Sequence, residues 1–143
     1  MKIKVKYSEG VEEIVQAHEG EWYDLRAEKS HIIWKGEYMK ISLGVAIELP
    51  EGYEAIVVPR SSTFEKHGII MVNGFGVIDH SYCGNDDVWH FPALKVYGEP
   101  AKIQKNERIA QFRIQKCQPE CELVTVDSLS DENRGGFGST GRS

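Results

Sequence analysis

The feature that most constrains this chain is a two-residue alternation of apolar and polar side chains, interrupted every few residues by a turn signal. Ile3, Val5 and Tyr7 point one way while Lys2, Lys4 and Lys6 point the other, the pattern of a half-buried strand. Tyr53, Ala55 and Val57 alternate in the same way up to Pro59. Over residues 107–115, Ala110, Phe112 and Ile114 share one face, and Glu107, Ile109, Gln111 and Arg113 share the other. Strict alternation there puts Arg108 and Gln111 on opposite faces. Further β-rich stretches cover residues 32–34, 37–49, 88–96 and 122–126. Between the strands lie Glu9-Gly10, Glu19-Gly20, Lys35-Gly36, Glu51-Gly52, Gly84-Asn85 and Lys105-Asn106, which are turn signals. Many short strands at this spacing predict an all-β sandwich, jelly roll or barrel. Residues 61–68 break the rhythm: Ser61, Ser62 and Thr63 are helix-starting types and Gly68 is a stop, which predicts one short helix. Residues 134–143 contain glycine at 135, 136, 138 and 141 and almost nothing to bury. They are expected to form a mobile arm on a single domain of residues 1–133.

Composition narrows the function classes. Seventeen Lys and Arg against 22 Asp and Glu leave a net charge of −5, which argues against a duplex nucleic-acid binder but allows a local basic pocket for phosphate. No apolar run approaches the ~20 residues that a membrane helix needs. The N-terminus alternates instead of forming an apolar leader core, so no secretory signal is expected. Cys83, Cys117 and Cys121 are an odd set without zinc spacing, the usage of reduced thiols in a cytoplasmic protein. His18, His31, His67, His80 and His90 share no metal-ligand spacing; His80 alone adjoins a candidate site, as a rim residue.

Five segments carry candidate chemistry. In the arm, Arg134-Gly135-Gly136-Phe137-Gly138-Ser139-Thr140-Gly141 combines converging backbone N–H groups, two hydroxyls, a guanidinium for phosphate and an aromatic ring that can stack. At Val57-Val58-Pro59-Arg60-Ser61-Ser62, a strand runs into hydroxyl residues that open a helical turn, and donors there suit phosphate oxygens. From Val72 to Gly84 the chain reads Asn73-Gly74 as a hairpin, then Gly76-Val77-Ile78-Asp79, then Tyr82. A hairpin mouth presents unpaired backbone groups to a base edge, Asp79 can hold and deprotonate a water, and Tyr82 can lie under a sugar. Glu107-Arg108-Ile109-Ala110-Gln111 offers a Gln free to reach a pocket. Trp22-Tyr23-Asp24-Leu25-Arg26 places an Asp near a strand start, where it can hold metal-bound water or cap a turn. Taken singly, each is also an ordinary turn, cap or surface residue.

Together and in this order, the five segments resemble the five motifs of the homotrimeric dUTPase family, in its Bacillus and phage form. The resemblance runs from about Trp22 to Gly141, and its most specific pieces are Gly76-Val77-Ile78-Asp79 with Tyr82 and Gly84, and the arm. It implies a distorted all-β jelly roll with one short helix that assembles as a homotrimer, each site shared by three chains. The implied reaction is dUTP plus water to dUMP and pyrophosphate with Mg²⁺, limiting uracil in DNA and supplying dUMP for thymidylate synthesis. By position, Asp79 orients the attacking water and Gln111 assists. Asn73, Gly76, Val77 and Ile78 read uracil, and Tyr82 packs on deoxyribose. Arg60, Ser61 and Ser62 touch phosphate, and Arg134, Phe137, Gly138, Ser139 and Thr140 close over the nucleotide. Asp24 is implied as the partner of metal-bound water. Where the family has a small Ala-Gly pair before this Asp, the chain has Glu21-Trp22-Tyr23; Asp86 and Asp87 read as a solvated turn. Two rivals remain: a dCTP deaminase on the same fold, and a dUTPase-like regulatory module acting on a phage or host protein partner.

Overall fold

The computed structural model describes residues 1–15, 20–138 and 141; His18 and the Glu19 half of one turn signal lie outside them. Among the described residues the chain forms β1 (Lys4–Tyr7), β2 (Tyr23–Arg26), β3 (His31–Ile33), β4 (Tyr38–Ser42), β5 (Val45–Glu48), β6 (Tyr53–Pro59), α1 (Thr63–His67), β7 (Ile69–Met71), β8 (Gly76–Ile78), β9 (His90–Lys95), β10 (Ala101–Ile103) and β11 (Arg108–Lys116). All pairings are antiparallel. A four-stranded sheet runs β2-β11-β6-β8 and a three-stranded sheet runs β4-β9-β7, with β1-β5 and β3-β10 as smaller pairs. The inward residues of these sheets meet in one apolar core that includes Leu25, Ile41, Ile47, Val57, Trp89, Phe91 and Phe112. Alternation explains which face goes in: β9 reads half-buried, buried, half-buried, buried along its length, as a strand packed on one side must.

Three local departures from the expected pattern shape the site. The first is in β11. Arg108 pairs with Arg26 and Ala110 with Leu25, so Ile109 is an extra residue in the ladder. This β-bulge turns Ile109 and Ala110 both inward, at 1% and 0% exposure, because two residues on one strand oppose a single residue on the other. Arg108 therefore shares a face with Gln111, correcting the expectation that they lie on opposite sides.

The second departure concerns the predicted hairpin at Asn73-Gly74. The turn is present, with the Gly74 N–H donating to Met71 O at 3.0 Å, but its two arms do not pair with each other. β7 pairs with β9 and β8 pairs with β6. Pro92 supplies the reason: its carbonyl accepts from the Val72 N–H at 3.0 Å, but it has no N–H to return. β7 leaves its ladder at that point, and an opening forms between two sheet edges.

The third is the stretch 122–126. The alternation is there, but among the described residues no strand pairs with it, and Leu123 and Val124 are 96% and 68% exposed.

The predicted helix is the single turn α1, closed by Gly68 at φ 58°. A Cβ at Gly68 would lie 1.9 Å from Tyr97 O and 2.7 Å from Lys95 Nζ. Gly68→Ala is therefore expected to cost about 2–4 kcal/mol, combining a left-handed backbone with overpacking. A thermal unfolding midpoint equal to that of the parent protein would contradict this.

Candidate active site

Two groups of polar side chains stand out. The first is built on β2, β6 and β11. Gln111 is registered against both Asp24 and Val58, and the bulge brings Arg108 onto the same face. Asp24 accepts from Arg60 Nε at 3.0 Å and from Arg108 Nη1 at 3.1 Å, one guanidinium per carboxylate oxygen. Its side chain is 14% exposed, whereas those of Arg60 and Arg108 are 29% and 49% exposed. The carboxylate thus lies behind the two guanidiniums and holds two like charges together that would otherwise repel. Ser61 and Ser62 follow on the exposed side; the Ser62 side chain makes no capping bond to α1, leaving its hydroxyl free. The result is a net cationic, donor-rich surface suited to phosphate oxygens.

The second group surrounds a cavity of about 470 Å³ lined by Asn73, Gly76, Val77, Ile78, Asp79 and Tyr82, with Tyr38, Lys40 and His90 among the opposite wall. Its volume suits a nucleoside-sized ligand. The turn at 71–75 and the edge of β8 that faces away from β6 present backbone groups here. Asp79 follows β8 directly. Its Oδ1 accepts from the Ser81 N–H at 2.7 Å and lies 3.6 Å from His80 Nδ1. Hydrogen bonds from Ser81, first its backbone N–H and then its hydroxyl, hold the Asp79 carboxyl below the usual range. Slight dehydration opposes this, and His80 adds a small favourable charge. The bland expectation that Asp79 caps its own turn is thus met by one oxygen, while the carboxylate stays ionised and exposed. Tyr82 is on the surface, its hydroxyl donating to Val88 O at 3.1 Å, which fixes the ring at the cavity rim. Burial pushes His90 down, so it faces the cavity as a neutral imidazole at neutral pH.

Within one chain these two groups are far apart. Ile78 pairs with Ala55, and Arg60 lies five residues further along the same strand, about 17 Å away at strand rise. Asp79 stands instead at the end of the sheet that holds Glu54 and Cys117. Those two carboxylates, after burial, push the Cys117 thiol up. The arm contacts neither group among the described residues: Arg134, Gly135, Gly136, Phe137 and Gly138 are exposed, and the Arg134 Nε reaches only its neighbour Gly135 O, at 3.5 Å. Ser139 and Thr140 lie outside the described residues.

Comparison with known proteins decides the family. The dUTPase family model matches residues 17–141. The chain belongs to the dUTPase family. It is 50% identical, over 99% of both chains, to the SPbeta prophage-derived deoxyuridine 5'-triphosphate nucleotidohydrolase of Bacillus subtilis. It is 38% identical to the deoxyuridine 5'-triphosphate nucleotidohydrolase of Nautilia profundicola, over 99% of this chain and 100% of the relative. Among solved structures, a dUTPase from Staphylococcus phage 80alpha superimposes with a TM-score of 0.83 at 22% identity, covering 96% of this chain and 98% of the other. A dUTPase from phage phi11 of S. aureus, whose structure concerns coordination of a structural Mg(II) ion, gives 0.76 at 19% identity, covering 90% and 98%. These likenesses establish the fold as the jelly-roll-like dUTPase fold, one of the all-β forms the alternation allowed and the one the resemblance implied.

Four of the five motif segments lie on or beside strands and α1 while the arm lies outside them, and several residues that line the cavity carried no motif signal. Tyr38, Lys40 and His90 line the cavity from β4 and β9, where they read only as the outward positions of ordinary strands. Their one available clue was Pro92, a residue that central strands avoid. Asp24 also differs from its expected setting. Both its oxygens are engaged by arginine, and no group of three His, Cys, Asp or Glu that could hold a metal ion occurs among the described residues. Asp87 does cap its turn, accepting from the Gly84 N–H at 2.8 Å.

Proposed function

We propose that the protein hydrolyses dUTP to dUMP and pyrophosphate at a site assembled from neighbouring copies of the chain in a homotrimer. The observation that carries this reading is the separation just described. Asp79 and the arginine cluster lie about 17 Å apart along one sheet, whereas the α-phosphorus that Asp79 serves and the phosphates that the arginines take are neighbours on one nucleotide. A second copy closes that gap. Exposed apolar residues at Ile70, Val72, Phe75 and Val77, and Leu123, Val124 and Val126 in a segment with no partner strand among the described residues, supply surface for such contacts.

In this reading uracil enters the opening beside β8, where Asn73 and the backbone of Gly76, Val77 and Ile78 match its donor–acceptor edge. Cytosine, with a different edge, would leave buried polar groups unpaired. Tyr82 lies against the deoxyribose. Asp79 holds a water by its free oxygen for in-line attack on the α-phosphorus, aided by Gln111 from the adjoining subunit. A carboxylate this acidic is a weak proton acceptor, so its main contribution is to keep the water oriented until the developing phosphorane charge makes proton transfer favourable. Arg60, Arg108, Ser61 and Ser62 take the phosphate chain. Arg134, Phe137, Gly138, Ser139 and Thr140 close from a further copy and exclude water.

Charge balance tests whether Mg²⁺ fits. Two guanidiniums against Asp24 leave one net positive charge, and Arg134 brings a second, whereas a triphosphate carries about four negatives. Among the described residues no group of carboxylates could cage a metal ion, so a divalent ion would be carried by the phosphates, and Asp24, with both oxygens on arginine, would face it only through water. When bound it supplies the missing positive charge.

Tyr82→Ala is expected to narrow the preference for dUTP over UTP by roughly 10-fold, the scale of one steric contact, as read from the ratio of kcat/KM values. An unchanged ratio would remove the sugar-sensing role. The whole reading is tested by pyrophosphate and ammonia release from dUTP, dCTP, dTTP and UTP, with and without Mg²⁺. Pyrophosphate from dUTP alone supports it; ammonia from dCTP would assign the chain to deamination instead.

A further inference from the structure

Thr63, His67 and Lys95 are the three buried polar or charged residues among the described ones, at 3%, 6% and 2% exposure, and all three converge on α1. Thr63, the first residue of the helix, donates its hydroxyl to Ile109 O at 2.7 Å. The same carbonyl accepts the Arg60 N–H at 3.3 Å. His67, the last residue, bonds through Nε2 to Glu107 Oε1 at 2.8 Å. Lys66 reaches that oxygen at 2.6 Å, and the Gln104 N–H donates to Oε2 at 2.9 Å. Lys95 Nζ closes the far end by donating to His67 O at 2.8 Å and to Tyr97 O. One turn of helix is thus bolted at one end to Ile109 of the bulged strand and at the other to Glu107, which immediately precedes that strand, and Arg108 lies between the bolts. The dimensions agree: five helical residues rise about 6 Å and two strand residues about 6.6 Å.

We propose that His67 is a positioning residue for triphosphate binding. With Glu107 and Thr63 it makes α1 a brace that fixes the spacing of Arg60, which precedes the helix, and Arg108, which it flanks. Asp24 alone does not set that spacing, because a carboxylate between two long, partly exposed arginines can follow their movement. The brace holds the backbones from which both arginines start. Buried polar groups that are fully paired impose a single arrangement, and here the arrangement imposed is that of the phosphate-facing guanidiniums. This inference rests on the dUTP reading.

The test compares two ligands on the intact protein: dUMP, which fills the cavity but lacks the β- and γ-phosphates, and the non-hydrolysable α,β-imido analogue of dUTP. His67→Leu is expected to weaken analogue binding by 10-fold or more while leaving dUMP within about 2-fold. His67→Gln, whose amide can still donate to Glu107, is expected to restore most of the loss. Thr63→Val, which keeps shape and removes the hydroxyl, is expected to reproduce the same split and serves if His67→Leu fails to fold. Equal weakening of both ligands, no weakening of either, or a Gln variant no better than Leu would overturn the brace. If the parent protein binds neither ligand, the dUTP reading fails and the inference falls with it. Parent-like binding of the analogue by His67→Leu would sink the inference alone.

Discussion

Asp79→Asn is expected to bind the non-hydrolysable dUTP analogue as the parent protein does and to lose about 10²- to 10⁴-fold in kcat, the range for removal of a positioned general base. The substitution is nearly isosteric, and an Asn side-chain oxygen can still accept the Ser81 N–H that the carboxylate accepts at 2.7 Å. Turn geometry is therefore kept while the charge and the proton-accepting oxygen go. The pH profile adds a second check. Because Ser81 holds this carboxyl below the usual range, it is ionised throughout neutral pH, and activity that depends on the ionised form falls only as pH drops through that lowered value. The parent protein should thus show no Asp79-dependent loss of kcat between about pH 6 and 8. An acid limb near neutrality that disappears in Asp79→Asn would contradict this assignment, as would a variant with near-normal turnover.

Truncation after Asn133 carries the second large expectation. The described arm residues 134–138 are exposed, so their removal uncovers no core. The unfolding midpoint and the assembly state should stay as in the full chain. Activity should not. The cut removes Arg134, whose charge is proposed to balance the triphosphate, and Phe137, which is fully exposed. Loss of one such preorganised charge at a reacting phosphate is worth about 10²- to 10³-fold in rate, and a site left open to water adds to that. The drop is measured as kcat/KM for dUTP. Full activity in the truncated protein would make the glycine-rich segment a mere solvated tail.

How much of this was legible beforehand differs by residue. The strands around Val5, Val57 and Phe112 follow from alternation, because burying one face of a sheet forces a period of two. Arg60, Asp79 and Tyr82 were singled out as candidates from local order and given roles by the resemblance, and each occupies an exposed or half-buried position fit for contact. The alternation failed at Ile109, where the inserted residue moved Arg108 to the face of Gln111. No local pattern announces a bulge, since Ile109 is apolar on either face. It also failed at the Asn73 turn. Asn-Gly signals a hairpin correctly at short range, but the pairing of β7 and β8 was decided elsewhere, by Pro92 on β9. Residues 122–126 show the same limit in another form: a strand needs a partner, and this segment has none among the described residues. The brace of His67 on Glu107 joins residues 40 positions apart, a separation no sequence window spans.

The central claim is that the arginine cluster and Asp79 serve the same nucleotide from different chains. Subunit mixing tests it directly. Arg60→Ala and Asp79→Asn proteins, each expected to retain little activity on dUTP, are unfolded together in equal amounts and refolded. If each site draws Asp79 from one subunit and Arg60 from another, random assortment restores roughly a quarter of the parent rate. If both residues act within one chain, every site in the mixture carries a defect and the refolded sample stays as inactive as its components.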